Sequence, residues 1–186
     1  FYDELPMELT GGAALLGVLT RMVLRGQLIS LCFSIFMILL IMTLVFRSVT
    51  GGLLATLPMV ASVIMMFGLM GYLDIPLNMT TSMLTGILVG VGVDYTVHFL
   101  WHLREHIRSG DSLDDAIATT LRISGKGILF NGLSVIIGFS ALLFSVFVPV
   151  QIFGILVMGS ISLCLFGALA TLPALISLIN PKFLYR

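Results

Sequence analysis

Charge is what this chain has least of. Only 10% of its 186 residues are Asp, Glu, Lys or Arg, against about 25% in soluble globular domains. The formal net charge is zero, so no broad attraction to nucleic acid is expected. Its two cysteines, Cys32 and Cys164, both fall in apolar runs. They read as reduced core thiols rather than as a disulfide framework. There is no signal peptide, and the chain opens at Phe1 rather than Met, so it is expected to be part of something longer. No phosphate-binding lysine loop, nucleophile elbow or zinc motif is found. His102 and His106 have no metal-like spacing with Cys or carboxylates, so neither a metal, nor a cofactor, nor an enzyme is expected.

What the chain has instead is apolar length. Apolar residues make up 59% of it, and the mean hydropathy is +1.16. Crossing the hydrocarbon of a bilayer takes roughly 20 apolar residues as a helix. Five segments qualify, at about 28–46, 53–73, 77–101, 127–147 and 150–178. Pro58 is expected to kink the second, and Pro173 to bend or end the fifth. The fold class expected is therefore all-α membrane, a bundle of five transmembrane helices. Arg47–Gly52, Asp74–Pro76 and Pro149 mark tight connections, and His102–Lys126 is the one long connection.

The basic residues orient the bundle. If five helices alternate, Arg47, Arg104, Arg108, Arg122, Lys126, Lys182 and Arg186 share one side, and only Arg21 and Arg25 fall on the other. The first group is assigned to the cytoplasm, and Phe1–Gln27 to the external side. Within Phe1–Gln27, Met7–Thr10 alternates like the end of a strand and Ala13–Leu24 reads as a short helix. A strand tail there suggests an extramembrane domain before Phe1. Inside the long connection, Asp111 is placed to cap a helix whose first turn carries Asp114 and Asp115. Its Leu113, Ile117 and Leu121 form one apolar stripe, so it is expected to lie along the inner membrane surface.

One carboxyl stands out in the third span. Asp94 sits in a run where almost everything else is apolar, from Gly86 to Leu100. Ionisable groups at membrane depth are rare, face a bundle interior or a water cavity, and usually mark an ion or substrate pathway. Ser82, Gly86, Gly90, Asp94 and His98 follow one another at i+4, which makes a slanting stripe on one side of a helix. Gly86 and Gly90, with Gly92 beside them, would let a neighbouring backbone approach closely and bury Asp94 against protein. Asp94 would then take up and release a proton, with His98 and Tyr95 as partners. The alternative is a carboxyl that only hydrogen-bonds a neighbouring helix. On the fourth span Asn131, Ser134, Gly138 and Ser145 share a face, which makes Asn131 and Ser134 possible neighbours of the relay or simple interhelical hydrogen-bonders.

These residues also carry a family resemblance. Phe46-Arg-Ser48, Leu57-Pro58 and above all Gly90-Val-Gly-Val-Asp-Tyr-Thr-Val-His-Phe99 resemble the RND superfamily. Leu9-Thr10-Gly11 and Gly138-Phe139 match as well. Within that superfamily the chain looks most like the MMPL and hopanoid-exporter branch, related to Patched, the Niemann–Pick sterol transporters and the sterol-sensing domain. The resemblance spans essentially the whole chain. It implies one RND half lacking its first helix, behind a periplasmic porter domain, in the inner membrane. It implies that Asp94 and Tyr95 are the Asp-Tyr pair of a proton relay, facing a second half that supplies another pair. The partners implied are membrane lipids, protons, the other half and a hydrophobic or lipid substrate, with no nucleic acid. Two functions follow as expectations: a proton-driven exporter of lipids or other hydrophobic compounds, or a lipid-binding regulatory domain of the sterol-sensing type.

Overall fold

The computed structural model describes residues 12–77 and 79–185. Six α-helices account for most of them, and no strand occurs among the described residues. They are α1 (Gly12–Phe46), α2 (Val49–Tyr72), α3 (Met79–Arg108), α4 (Leu113–Ser140), α5 (Val148–Phe166) and α6 (Leu172–Ile179). Five stretches are long and apolar enough to cross a membrane: Gly17–Phe46, Val49–Tyr72, Thr81–Arg108, Leu113–Phe144 and Val148–Ile179. Five membrane-length helices are thus what the apolar runs build.

Their boundaries differ from the expected ones for physical reasons. The strand expected at Met7–Thr10 lies outside the described residues. The short helix expected at Ala13–Leu24 is no separate element; it is the first part of the 35-residue α1. The connection expected over His102–Lys126 is largely helical. α3 runs on to Arg108 and α4 starts at Leu113, leaving a turn in which Gly110 takes φ 102°, a conformation that favours glycine. Ser112, rather than Asp111, caps α4, its Oγ accepting from the Asp115 N–H. The stripe Leu113, Ile117 and Leu121 packs on the hydrophobic core instead of lying along a membrane surface. It does so because α4 is one unbroken helix into the expected span.

The two prolines act differently. α2 continues as one helix through Pro58, and the Ser62 hydroxyl donates to the Pro58 carbonyl at 2.9 Å. Before Pro173 the helix widens into a π turn, Gly167–Thr171, in which the Leu172 N–H reaches back to the Gly167 carbonyl. That turn lets α5 pass into α6 despite the missing proline N–H. Gly167 lies against Pro58, where an added Cβ would sit 3.2 Å from the proline Cβ.

α3 is the central element and packs against α1, α2, α4 and α5. Its buried side chains Tyr95, Phe99, Leu100 and Leu103 join Met59 and Met66 of α2, Val157 and Ile161 of α5, and Leu172 and Ile176 of α6. At one end of the bundle Phe46 meets Phe183 edge-on, with ring centroids 5.7 Å apart. α1 and α4 flank this core and turn apolar side chains such as Phe33, Phe36, Phe130 and Ile137 outward, as lipid-facing helices do.

Candidate functional site

The i+4 stripe on α3 forms as expected, but it faces away from the core of these five helices. The Asp94 and His98 side chains are 57% and 62% exposed, and the carboxylate Oδ1 lies 3.5 Å from His98 Nε2. A parallel i+4 series, Tyr95, Phe99, Leu103 and Ile107, takes the buried face. One residue of offset is about 100° of rotation, so burying one series exposes the other.

The glycines divide in the same way. Close approach was expected at Gly86 and Gly90, yet both are exposed, and a Cβ built on either meets nothing within 4 Å. Gly92 is the one in contact. A Cβ there would lie 3.1 Å from both Cys164 Sγ and Met59 Cγ, so this glycine lets α3 sit tightly on α2 and α5. The reason is rotation again, because Gly92 lies on the side of Thr96 and Phe99 and not on that of Asp94.

A cleft of about 270 Å³ lies between α3 and α4. Asp94, Tyr95, His98 and His102 line it from α3, and Ser124, Gly127, Ile128 and Asn131 from α4. Asn131 is therefore brought to Asp94. Ser134 is not; it is exposed on the next turn and its hydroxyl donates to the Phe130 carbonyl at 2.8 Å. Gly138 is exposed, and Ser145 lies beyond the end of α4, its carbonyl accepting from Gln151 Nε2 at 2.6 Å.

Two hydroxyls of the cleft are buried without a hydrogen-bond partner, Tyr95 Oη and Ser124 Oγ. Buried polar atoms are nearly always paired, so an unpaired one is a physical anomaly that its surroundings must account for. Here both border the cleft that holds Asp94 and His98. His102 and Ser124 were not read from the sequence as part of it. His102 had a signal, since it continues the series Ser82, Gly86, Gly90, Asp94, His98 by one more step of four. Its Nδ1 lies 3.5 Å from Glu105 Oε2, which ties the cytoplasm-assigned end of the stripe to a second carboxylate. Ser124 had none, because its place depends on how α4 is rotated against α3.

Comparison with known proteins gives a consistent picture. A family model described as the MMPL family matches residues 2–184. A protein of Methanocaldococcus jannaschii, named there only as a membrane protein, is 29% identical over 139 residues. That match covers 75% of this chain and 36% of the relative, so the chain spans about a third of the relative's length.

Proposed function

This chain belongs to the MMPL family, and from that premise we propose that it is the membrane part of a secondary transporter that exports lipids or other hydrophobic compounds using proton entry. In this reading Asp94 is the group that takes up and releases the proton. Tyr95 and His98 are its hydrogen-bonding partners, and Asn131 closes the cleft from α4. The observation that carries the reading is a carboxyl in the middle of a membrane helix, with an imidazole 3.5 Å away and an unpartnered buried hydroxyl on the adjoining residue. A carboxyl left facing lipid would be strongly unfavourable. Its outward exposure on these five helices therefore supports a further layer of protein over the stripe, the other half of the transporter.

Each proton moving inward across the membrane yields about 2.3 kcal/mol per 100 mV, besides any pH gradient. The relay needs only one titrating group that is alternately open to either side. The porter domain expected before this chain would select the substrate.

A second reading, a lipid-binding regulatory domain of the sterol-sensing type, has one observation in its favour. An apolar cavity of about 400 Å³ opens between α1 and α2 and is lined by Leu24, Leu28, Phe67, Met70 and Ile75. A lipid-binding domain needs such a cavity and needs no titrating Asp94. The deciding experiment is proton-coupled export by Asp94→Asn protein reconstituted into vesicles with an imposed pH gradient. Loss of export with retained folding fits the relay, and export at the wild-type rate removes it.

A further inference from the structure

At the end of the bundle assigned to the cytoplasm, a cleft of about 290 Å³ opens along the last turns of α3, with Trp101, Arg104, Glu105, Arg108 and Ser109 in its lining. Arg104 is half-buried. Its Nε is sealed from solvent with no hydrogen-bond partner, and none of the ion pairs among the described residues includes it. Arg108, one turn on, and Arg47, from the turn between α1 and α2, both act on it with like charge. We propose that this cleft binds a phosphate group, carried by an anionic phospholipid of the leaflet on that side.

The carboxylates at this end do not neutralise Arg104. Glu105 Oε2 lies 3.5 Å from His102 Nδ1, and Asp111 Oδ2 lies 3.4 Å from His106 Nδ1, so each is turned toward an imidazole. Two arginines thus share the cleft with one carboxylate that is directed elsewhere. A cation drawn partly out of water is unfavourable unless it is paired, and the described residues supply no partner for this one. With Nε shut in, a ligand meets the guanidinium along its Nη edge. That edge can still donate to two oxygens of one phosphate, a geometry that suits arginine better than lysine.

Trp101 favours a lipid over a dissolved anion. It lines the same cleft one turn nearer the middle of the helix, and it is 54% exposed. Tryptophan settles at the level of lipid headgroups, where its ring meets apolar groups and its N–H meets polar ones. A free anion has no use for that ring, whereas the glycerol and upper chains of a phospholipid pack on it. Basic pockets at the cytoplasmic ends of membrane helices bind acidic headgroups in this way. At roughly 30 Å³ per water molecule the cleft has room for about ten waters. That is space for a phosphate and its glycerol, with the acyl chains left outside it. Trp101 also follows Asp94 by seven residues, two turns along the same side of α3. The lipid therefore stands where the seam with the other half of the transporter reaches the membrane surface. That consequence rests on the reading of the Asp94 face as covered by protein, whereas the binding itself does not.

The experiment is native mass spectrometry of the full protein in detergent, titrated with phosphatidylglycerol or with phosphatidylcholine. The wild-type protein is expected to retain phosphatidylglycerol in preference. One basic residue at a lipid surface is worth about fivefold in affinity. Arg104→Gln and Arg108→Gln are therefore each expected to weaken phosphatidylglycerol binding by about that factor, with phosphatidylcholine binding unchanged. Arg108 is exposed, so Arg108→Gln keeps the test open where Arg104→Gln fails to fold. The control is Arg122→Gln, which removes the same charge from α4 outside the cleft and is expected to leave both lipids bound as in wild type. Equal weakening by Arg122→Gln means diffuse surface charge and overturns the site, as does the absence of any preference for phosphatidylglycerol. Inorganic phosphate in large excess separates the two sources of the phosphate group. It is expected to leave the lipid bound, and displacement of the lipid overturns the lipid assignment in favour of a free anion. Binding is read without transport, so these outcomes hold whether Asp94→Asn keeps or loses export.

Discussion

Asp94 and Tyr95 are neighbours in sequence with opposite surroundings, and their substitutions should separate accordingly. Asp94 is more than half exposed and its side-chain contact is with His98, one turn on. Asp94→Asn keeps its size and hydrogen-bonding ability, so the protein is expected to stay monodisperse with an unchanged melting temperature while proton-coupled export is lost. Tyr95 is 2% exposed, and its hydroxyl has no partner. Tyr95→Phe therefore removes a buried polar atom without breaking a hydrogen bond within the chain, a change that is neutral or stabilising by about 1 kcal/mol. Thermal unfolding in detergent should show a melting temperature no lower than wild type. Export by the same protein should fall if the hydroxyl serves the relay. A clear loss of thermal stability would mean that the Tyr95 hydroxyl has a structural partner, and would weaken its assignment to the cleft.

Among the helices, the relation of α3 to its neighbours decides which glycine matters. Gly92 faces Cys164 and Met59 at contact distance, whereas Gly90 faces open space. Gly92→Val forces atoms into a filled interface and is expected to destabilise by about 1–3 kcal/mol. Gly90→Ala meets nothing within these five helices, and its higher helix propensity, about 1 kcal/mol over glycine, makes it neutral or stabilising. Thermal unfolding of the two variants checks the order, and a Gly90→Ala protein less stable than Gly92→Val would reverse the assigned rotation of α3. That rotation is also where sequence reading stops. Apolar runs of bilayer length show the five spans because the hydrocarbon demands that length whatever packs beside it. The Asp94 stripe was legible too, since hydrocarbon solvates a carboxylate so poorly that one at membrane depth is rare. Which face of α3 turns inward was not, because lipid and core are equally apolar and both i+4 series fit a helix. The ends of α3 and α4 were misread for a related reason: charged residues mark the departure from lipid, whereas a helix continues past it into water.

Over the whole molecule, the lengths of the helices and the placement of charge give an expectation for which ends meet which solvent. α4 has 28 residues and is roughly 42 Å long, more than the hydrocarbon thickness of about 30 Å. It is long enough to cross, and a crossing helix has its two ends on opposite sides of the membrane. The turn before it contains Ser109 and Gly110, next to Arg104 and Arg108, and the α1–α2 turn at Arg47 belongs to the same end under the alternation of spans. The opposite end of α4 leads into the segment before α5, where Val146 is fully exposed and no Lys or Arg occurs between Gly127 and Asn180. Positive residues are retained on the cytoplasmic side, which assigns Ser109 to the inside and Val146 to the outside. With Cys32→Ser as background, Ser109→Cys is expected to react with an impermeant thiol reagent only in inside-out vesicles, and Val146→Cys only in intact cells. Reaction of both from the same side would mean that α4 does not cross the bilayer. A clean exchange of the two patterns would keep the fold and invert its orientation, placing the Asp94–His102 cleft toward the outside.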